Sequence, residues 1–131
     1  MARPASEHPT GLELQILKIL WEKAPLKVRE VREALAEGGR PLAHSSVITT
    51  LNIMVDKGYL RRKPEGKLLL FSPRVSRTSV SKKMLGDVVN RVFDGSASAV
   101  MLRLLETAEL DRAELLELRK IINHRVKEQS P

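Results

Sequence analysis

Ser45, Ser46, Thr49, Thr50 and Asn52 fall within eight consecutive positions, and Arg61, Arg62, Lys63 and Lys67 follow within the next fifteen. Short hydroxyl and amide side chains both donate and accept hydrogen bonds while holding their backbone close to a partner. A surface built from them suits the base edges and phosphates of a nucleic-acid groove. The cations that follow suit a polyanion backbone or a minor groove. Each feature also has a plainer explanation: a solvent-facing helix that holds Ser and Thr, and an edge hairpin kept soluble by its charge. Their coincidence favours the nucleic-acid reading.

The elements that must position these residues follow from periodicity and stop signals. Residues 1–9 read as a flexible N-terminal tail. Thr10 and Glu13 have capping-box spacing and open a helix carrying Leu12, Ile16, Leu17, Ile19, Leu20 and Trp21, which Pro25 stops. A short second helix from Val28 to Glu37 presents Val28, Val31 and Leu35 on one face and ends at Gly38-Gly39. The third runs from about Ala43 to Lys57, with Val47, Leu51, Met54 and Val55 as its apolar stripe. At about 100° per residue, a buried face centred on Leu51 turns Ser46, Thr49, Ile53 and Asp56 outward. Ser45 lies nearby, and Thr50 and Asn52 sit on the flanks. Tyr59 to Lys63 and Leu68 to Ser72 read as strands joined by turn chemistry at Pro64-Glu65-Gly66. Three helices and a hairpin within some 65 residues give a winged helix-turn-helix layout over 10–73.

Pro73 marks a boundary, and 74–131 reads as all helical. Val80, Met84, Leu85, Val88, Val89 and Val92 form one stripe. Val100, Met101, Leu104 and Leu105 form a second after the break at Asp94-Gly95-Ser96. Leu115, Leu118 and Ile122 form a third behind a capping box at Asp111 and Glu114. Three stripes exceed what packing on a small head requires. We therefore read this region as a homodimerisation tail, with Met84, Leu85, Val88, Val92, Val100, Leu104, Leu118 and Ile122 at the interface. A three-helix packing within one chain is the alternative. Two heads would also explain how so small a reader achieves specificity. The fold class expected is thus mainly α, with a small antiparallel β wing.

Composition sets outer bounds. The chain has 131 residues and a net charge of +7; residues 1–75 hold 13 basic and 8 acidic side chains, residues 76–131 hold 10 and 8. The basic surplus concentrates in the half that holds the hairpin, which points to a polyanion partner as readily as to solubility alone. There is no cysteine, which excludes disulfides, thiolate metal sites and cysteine nucleophiles. No apolar run approaches the length of a signal core or membrane helix, so a cytoplasmic protein without membrane contact is expected. His8, His44 and His124 lie on separate elements, and none has a metal-ligand partner at helical spacing. His44, at the start of the third helix, is a candidate phosphate contact. Acidic residues pair with basic neighbours along helices, as Glu30 does with Arg29 and Arg32, and read as solvated faces. No phosphate-cradling glycine loop is present, and neither an enzyme nor a cofactor is expected.

The stretch LELQILKILWEKAPLKVREVREAL, followed by SSVITTLNIMVDKGYLRRKPEGKLLLFSP, resembles the penicillinase-repressor (BlaI/MecI) family of winged-helix regulators. The tail RVFDGSASAVMLRLLE, with LRKII further on, resembles that family's dimerisation region, so the likeness covers about residues 10–125. It implies a homodimer that binds an inverted-repeat operator in double-stranded DNA and represses β-lactamase or related resistance genes. By position, Ser46, Thr49, Thr50 and Asn52 fall on the reader helix, and Arg61 to Lys67 on the wing. Three departures stand out. Ile53 replaces an arginine found in some members, which implies a different operator preference. Lys27 stands where a capping threonine is usual. Arg103-Leu104 aligns with the Asn-Phe bond cleaved in some members, which leaves release by a sensor protease or by a ligand open. The copper-responsive branch uses a C-terminal cysteine cluster, so that route is excluded here. The remaining alternative is a winged-helix protein–protein interaction module without DNA binding. Such a module would expose apolar residues on the third helix, where Ile53 alone does so.

Overall fold

A computed structural model of the chain describes residues 8–130. Apart from His8 and Pro9, the segment read above as a tail lies outside them. The chain divides into two compact units after Gly86. The first contains α1 (Gly11–Lys23), α2 (Val28–Glu37), α3 (His44–Asp56), β1 (Leu60–Glu65), β2 (Leu68–Pro73) and the opening turns of α4 (Arg77–Val92). The second contains the rest of α4, then α5 (Ala97–Thr107) and α6 (Arg112–Glu128). Three helices closed by an antiparallel hairpin make the first unit a winged helix-turn-helix, as the periodicity predicts.

Local chemistry sets the helix ends. At α1 the capping box is complete: Glu13 N–H donates to Thr10 Oγ1 at 3.1 Å, and Thr10 N–H donates to Glu13 Oε1 at 2.8 Å. α2 has only the return half, with Lys27 N–H donating to Glu30 Oε1 at 3.0 Å, because lysine has no acceptor. Gly58 ends α3 in the left-handed conformation (φ 84°). There Gly58 N–H donates to Val55 O and Tyr59 N–H to Met54 O, the paired bonds of a Schellman motif. This reversal sends the chain straight into β1.

The core of the first unit is continuous. Ile16, Leu17 and Leu20 of α1 meet Val31 and Leu35 of α2, Val47, Leu51 and Met54 of α3, Leu60 of β1 and Phe71 of β2. Leu26, between α1 and α2, exchanges two backbone hydrogen bonds with Phe71, at 3.1 and 2.8 Å, and so fastens the wing to the helices. The only tryptophan, Trp21, donates its indole N–H to Val75 O at 2.8 Å and lies 5.1 Å beneath the Arg77 guanidinium.

Two expectations need correction. Pro64 and Glu65 belong to β1, and the turn is Gly66-Lys67, since Glu65 pairs with Leu68 across it. Gly66 alone has positive φ (61°), the sign pattern of a two-residue type II′ hairpin turn. Glu30 does not pair with Arg29 or Arg32. It caps Lys27, while Arg29 reaches Glu33 at 3.7 Å and Arg32 Nε donates to Leu42 O at 2.9 Å, bracing the loop before α3.

One ion pair is built into the core. Lys57 Nζ donates to both Glu13 oxygens, at 3.1 and 2.9 Å, with the carboxylate side chain 4% and the lysine 23% exposed. Burial, and then the nearby Glu13 carboxylate, raise the Tyr59 phenol above its ordinary pKa, with Lys57 opposing, so it is neutral near pH 7. Because the two partners differ in exposure, they should respond differently to removal. Lys57→Met strands a buried carboxylate and is expected to destabilise the head by about 2–3 kcal/mol, below the usual range for such pairs because Lys57 is partly wet. Glu13→Gln keeps an oxygen for Thr10 and lets Lys57 turn to water, and should cost only about 1 kcal/mol. Thermal unfolding followed at Trp21 measures both; equal effects would show that the carboxylate is not the sensitive partner.

Candidate nucleic-acid interface

α3 carries the row of short polar residues. Its apolar stripe is sunk in the core, which leaves His44, Ser45, Ser46, Thr49, Ile53 and Asp56 exposed and Thr50 and Asn52 half-buried on the flanks. Thr50 Oγ1 donates to Ser46 O at 2.9 Å, so its hydroxyl is turned onto its own helix and offers only its lone pairs outward. Ile53 is 44% exposed, the one large apolar side chain on this face.

The wing's cations do not share one surface. Directly opposed residues of an antiparallel pair point to the same face, and Arg62 opposes the fully buried Phe71. Arg62 therefore turns towards the helices, where its Nη1 donates to Asn52 Oδ1 at 2.6 Å. Arg61 and Lys63 oppose Ser72 and Leu70 on the other face, and Lys67 stands on the turn. Period-2 alternation alone could have shown this split.

The Leu26–Phe71 bridge also gathers residues that lie far apart in sequence. Lys27, Val28 and Arg29 at the start of α2, His44 and Ile48 on α3, and Lys67, Leu68 and Leu69 of the wing line one groove of about 300 Å³. No acidic side chain lines it. Both helices begin there without a side-chain cap, since Lys27 and Ala43 offer no acceptor to the first-turn N–H groups. Open N–H donors, the positive ends of two helix dipoles and cationic side chains all favour an anion. In the sequence, Lys27 and Arg29 stand with Lys18 and Arg40 as cations that could add backbone contacts but that plain surface explains equally well. Among the described residues, no group of three or more His, Asp or Glu is placed to hold a metal. No described helix is long and apolar enough to cross a membrane.

A family model described as penicillinase repressor matches residues 9–124. The chain belongs to the penicillinase repressor family. The penicillinase repressor of Bacillus licheniformis is 24% identical over 110 residues, covering 84% of this chain and 85% of that protein. The methicillin resistance regulatory protein MecI of Mammaliicoccus sciuri is 23% identical over 114 residues, covering 87% and 92%. Among solved structures, the monomeric form of Bacillus licheniformis BlaI in complex with the blaP half-operator is 22% identical. It has a TM-score of 0.45 and covers 53% of this chain and 83% of that one.

In this penicillinase repressor family member, the second unit lacks an interior. α5 and α6 contain no buried residue. Of the residues read as the interface, Val88, Val92, Leu104, Leu118 and Ile122 of this unit are exposed and Val100 is half-buried; Leu85, exposed, and Met84, half-buried, belong to the first unit. Met101, Leu104, Leu105, Ala108, Leu118 and Ile122 border an apolar groove of about 230 Å³. The second capping box holds, with Glu114 N–H donating to Asp111 Oδ1 at 2.8 Å and Asp111 N–H to Glu114 Oε1 at 3.3 Å. Arg103-Leu104 lies within α5, in helical conformation.

Proposed function

We propose that this DNA-binding transcriptional repressor acts as a homodimer on an inverted-repeat operator, with α3 in the major groove and the wing on the flanking backbone. The observation that carries this is the single head face on which α3 presents Ser45, Ser46, Thr49 and the flanking Thr50 and Asn52 beside an acid-free cationic groove. Ser46, Thr49 and Asn52 read base edges. His44, Lys27 and Arg29 hold phosphates at the two open helix ends, and Arg61, Lys63 and Lys67 add backbone contacts. Dimerisation is supported by the absence of any buried residue from α5 and α6 despite their apolar stripes. The names of the relatives point to β-lactamase or related resistance genes as targets. Cleavage at Arg103-Leu104 would first require α5 to unwind locally. We therefore favour release by a ligand, or by a protease acting elsewhere.

The test is binding to a labelled duplex of the gene's own upstream region, against a scrambled duplex, across a salt series. Five wing and groove cations per head, each neutralising one phosphate, give an expected log–log slope of about −4.5 per head on the preferred duplex. Equal, weak binding to both duplexes would reduce the head to a generic polycation binder. No binding at low salt would replace the repressor by a protein-interaction module.

A further inference from the structure

Of the four wing cations, Arg62 alone holds another side chain among the described residues. A guanidinium has donors only, so its partner on Asn52 must be the amide oxygen, and the amide's orientation is thereby fixed. The bond is charge-assisted and short, at 2.6 Å, and it joins the wing to the reader helix across ten residues of sequence. Its geometry follows from the register: Arg62 shares a strand face with buried Leu60 and opposes buried Phe71, so it leans over α3 and not out towards a backbone.

We infer that Arg62 is a positioning residue for base recognition: it locks the Asn52 amide with its oxygen towards the wing, leaving the two Nδ2 hydrogens as the groups offered to DNA. This rests on the DNA-reading function proposed above and assigns Arg62 a part other than phosphate contact. An amide that presents donors selects a base edge bearing acceptors, such as guanine N7 and O6, adenine N7 or thymine O4. It rejects the N4 amino donor of cytosine. Without Arg62 the amide is free to turn over, presenting either donor or acceptor, and discrimination at that one base pair relaxes. A phosphate contact behaves differently: its loss weakens all sequences alike and lowers the salt slope.

The experiment uses the full chain and the upstream duplex with each base pair of one half-site replaced in turn. Arg62→Met, Asn52→Ala, the double variant and Lys63→Met are compared with the parent, and unfolding at Trp21 confirms that each is folded. For Arg62→Met the expected result is a roughly tenfold loss of discrimination at a single base pair, with the salt slope unchanged. The double variant should be no worse than Asn52→Ala alone, since both act through one amide. Arg62→Lys, which keeps a donor, should retain part of the discrimination. Lys63→Met should lower the slope by about 0.9 per head with discrimination intact. A slope lowered by Arg62→Met with uniform weakening would overturn the inference, as would additive losses in the double variant or no change at all. If the parent itself shows no preference among duplexes, the DNA-reading function fails and the inference falls with it. That failure is distinct because it appears without any substitution.

Discussion

Thr49→Glu is expected to lower affinity for the preferred duplex about 100-fold or more and to abolish its advantage over a scrambled one, while the head remains folded. Thr49 lies at the middle of the exposed face of α3, and its side chain packs against nothing in the core. Glutamate is a better helix former than threonine, so the helix itself should not suffer. The DNA complex loses a short polar contact and gains a longer carboxylate facing phosphates. Together these are worth about 3 kcal/mol or more, on the scale of one good base contact plus like-charge juxtaposition. The two parts separate with salt: repulsion fades as ionic strength rises, whereas the lost contact does not. Titration at two salt concentrations, with unfolding at Trp21 as the control, measures both. Unchanged affinity would remove α3 from the interface.

The second large effect belongs to the tail. Leu104→Asp should turn the proposed dimer into a monomer at micromolar concentration. Leu104 is 53% exposed on α5 and borders the apolar groove beside α6, so the isolated protomer gives up only part of that side chain's packing. In a two-fold interface every substitution occurs twice. Two buried leucines removed at about 1.5–3 kcal/mol each raise the dimer dissociation constant by two to four powers of ten. Operator affinity should fall with it, because the second head then binds as an independent molecule. Sedimentation equilibrium gives the mass and duplex titration the affinity. A variant that stays dimeric would place the interface elsewhere on the chain. A monomeric parent would refute the dimer itself.

Local signals carried most of the architecture. Thr10 with Glu13, Gly39 and Gly58 each mark a helix end by a mechanism that acts within a few residues, and the structure places those ends there. The outward face of α3 was equally legible, since a 3.6-residue period needs only one anchored position. The hairpin turn was not, because proline reads as a breaker. β1 is an edge strand in a two-stranded sheet, and such a strand tolerates a proline at Pro64. Moving the turn to Gly66-Lys67 fixes the register, and the register decides that Arg62 faces α3 while Arg61 and Lys63 face away. The cationic groove was invisible for a related reason. Lys27 and Lys67 lie forty residues apart and become neighbours only because Leu26 pairs with Phe71.

That pairing also bears on how fast the protein finds its site. The wing is tied at its inner strand by the two Leu26–Phe71 bonds, at its base by Arg74 N–H to Tyr59 O at 2.8 Å, and along its length by Arg62 to Asn52. Fixing a free loop costs about 1–2 kcal/mol per residue in backbone entropy. Here that ordering is complete in the folded protein before DNA arrives, so no folding step stands between collision and a seated complex. Association should therefore follow a single exponential whose rate is set by electrostatic steering and falls steeply with salt, with no slow phase that stays constant as DNA concentration rises.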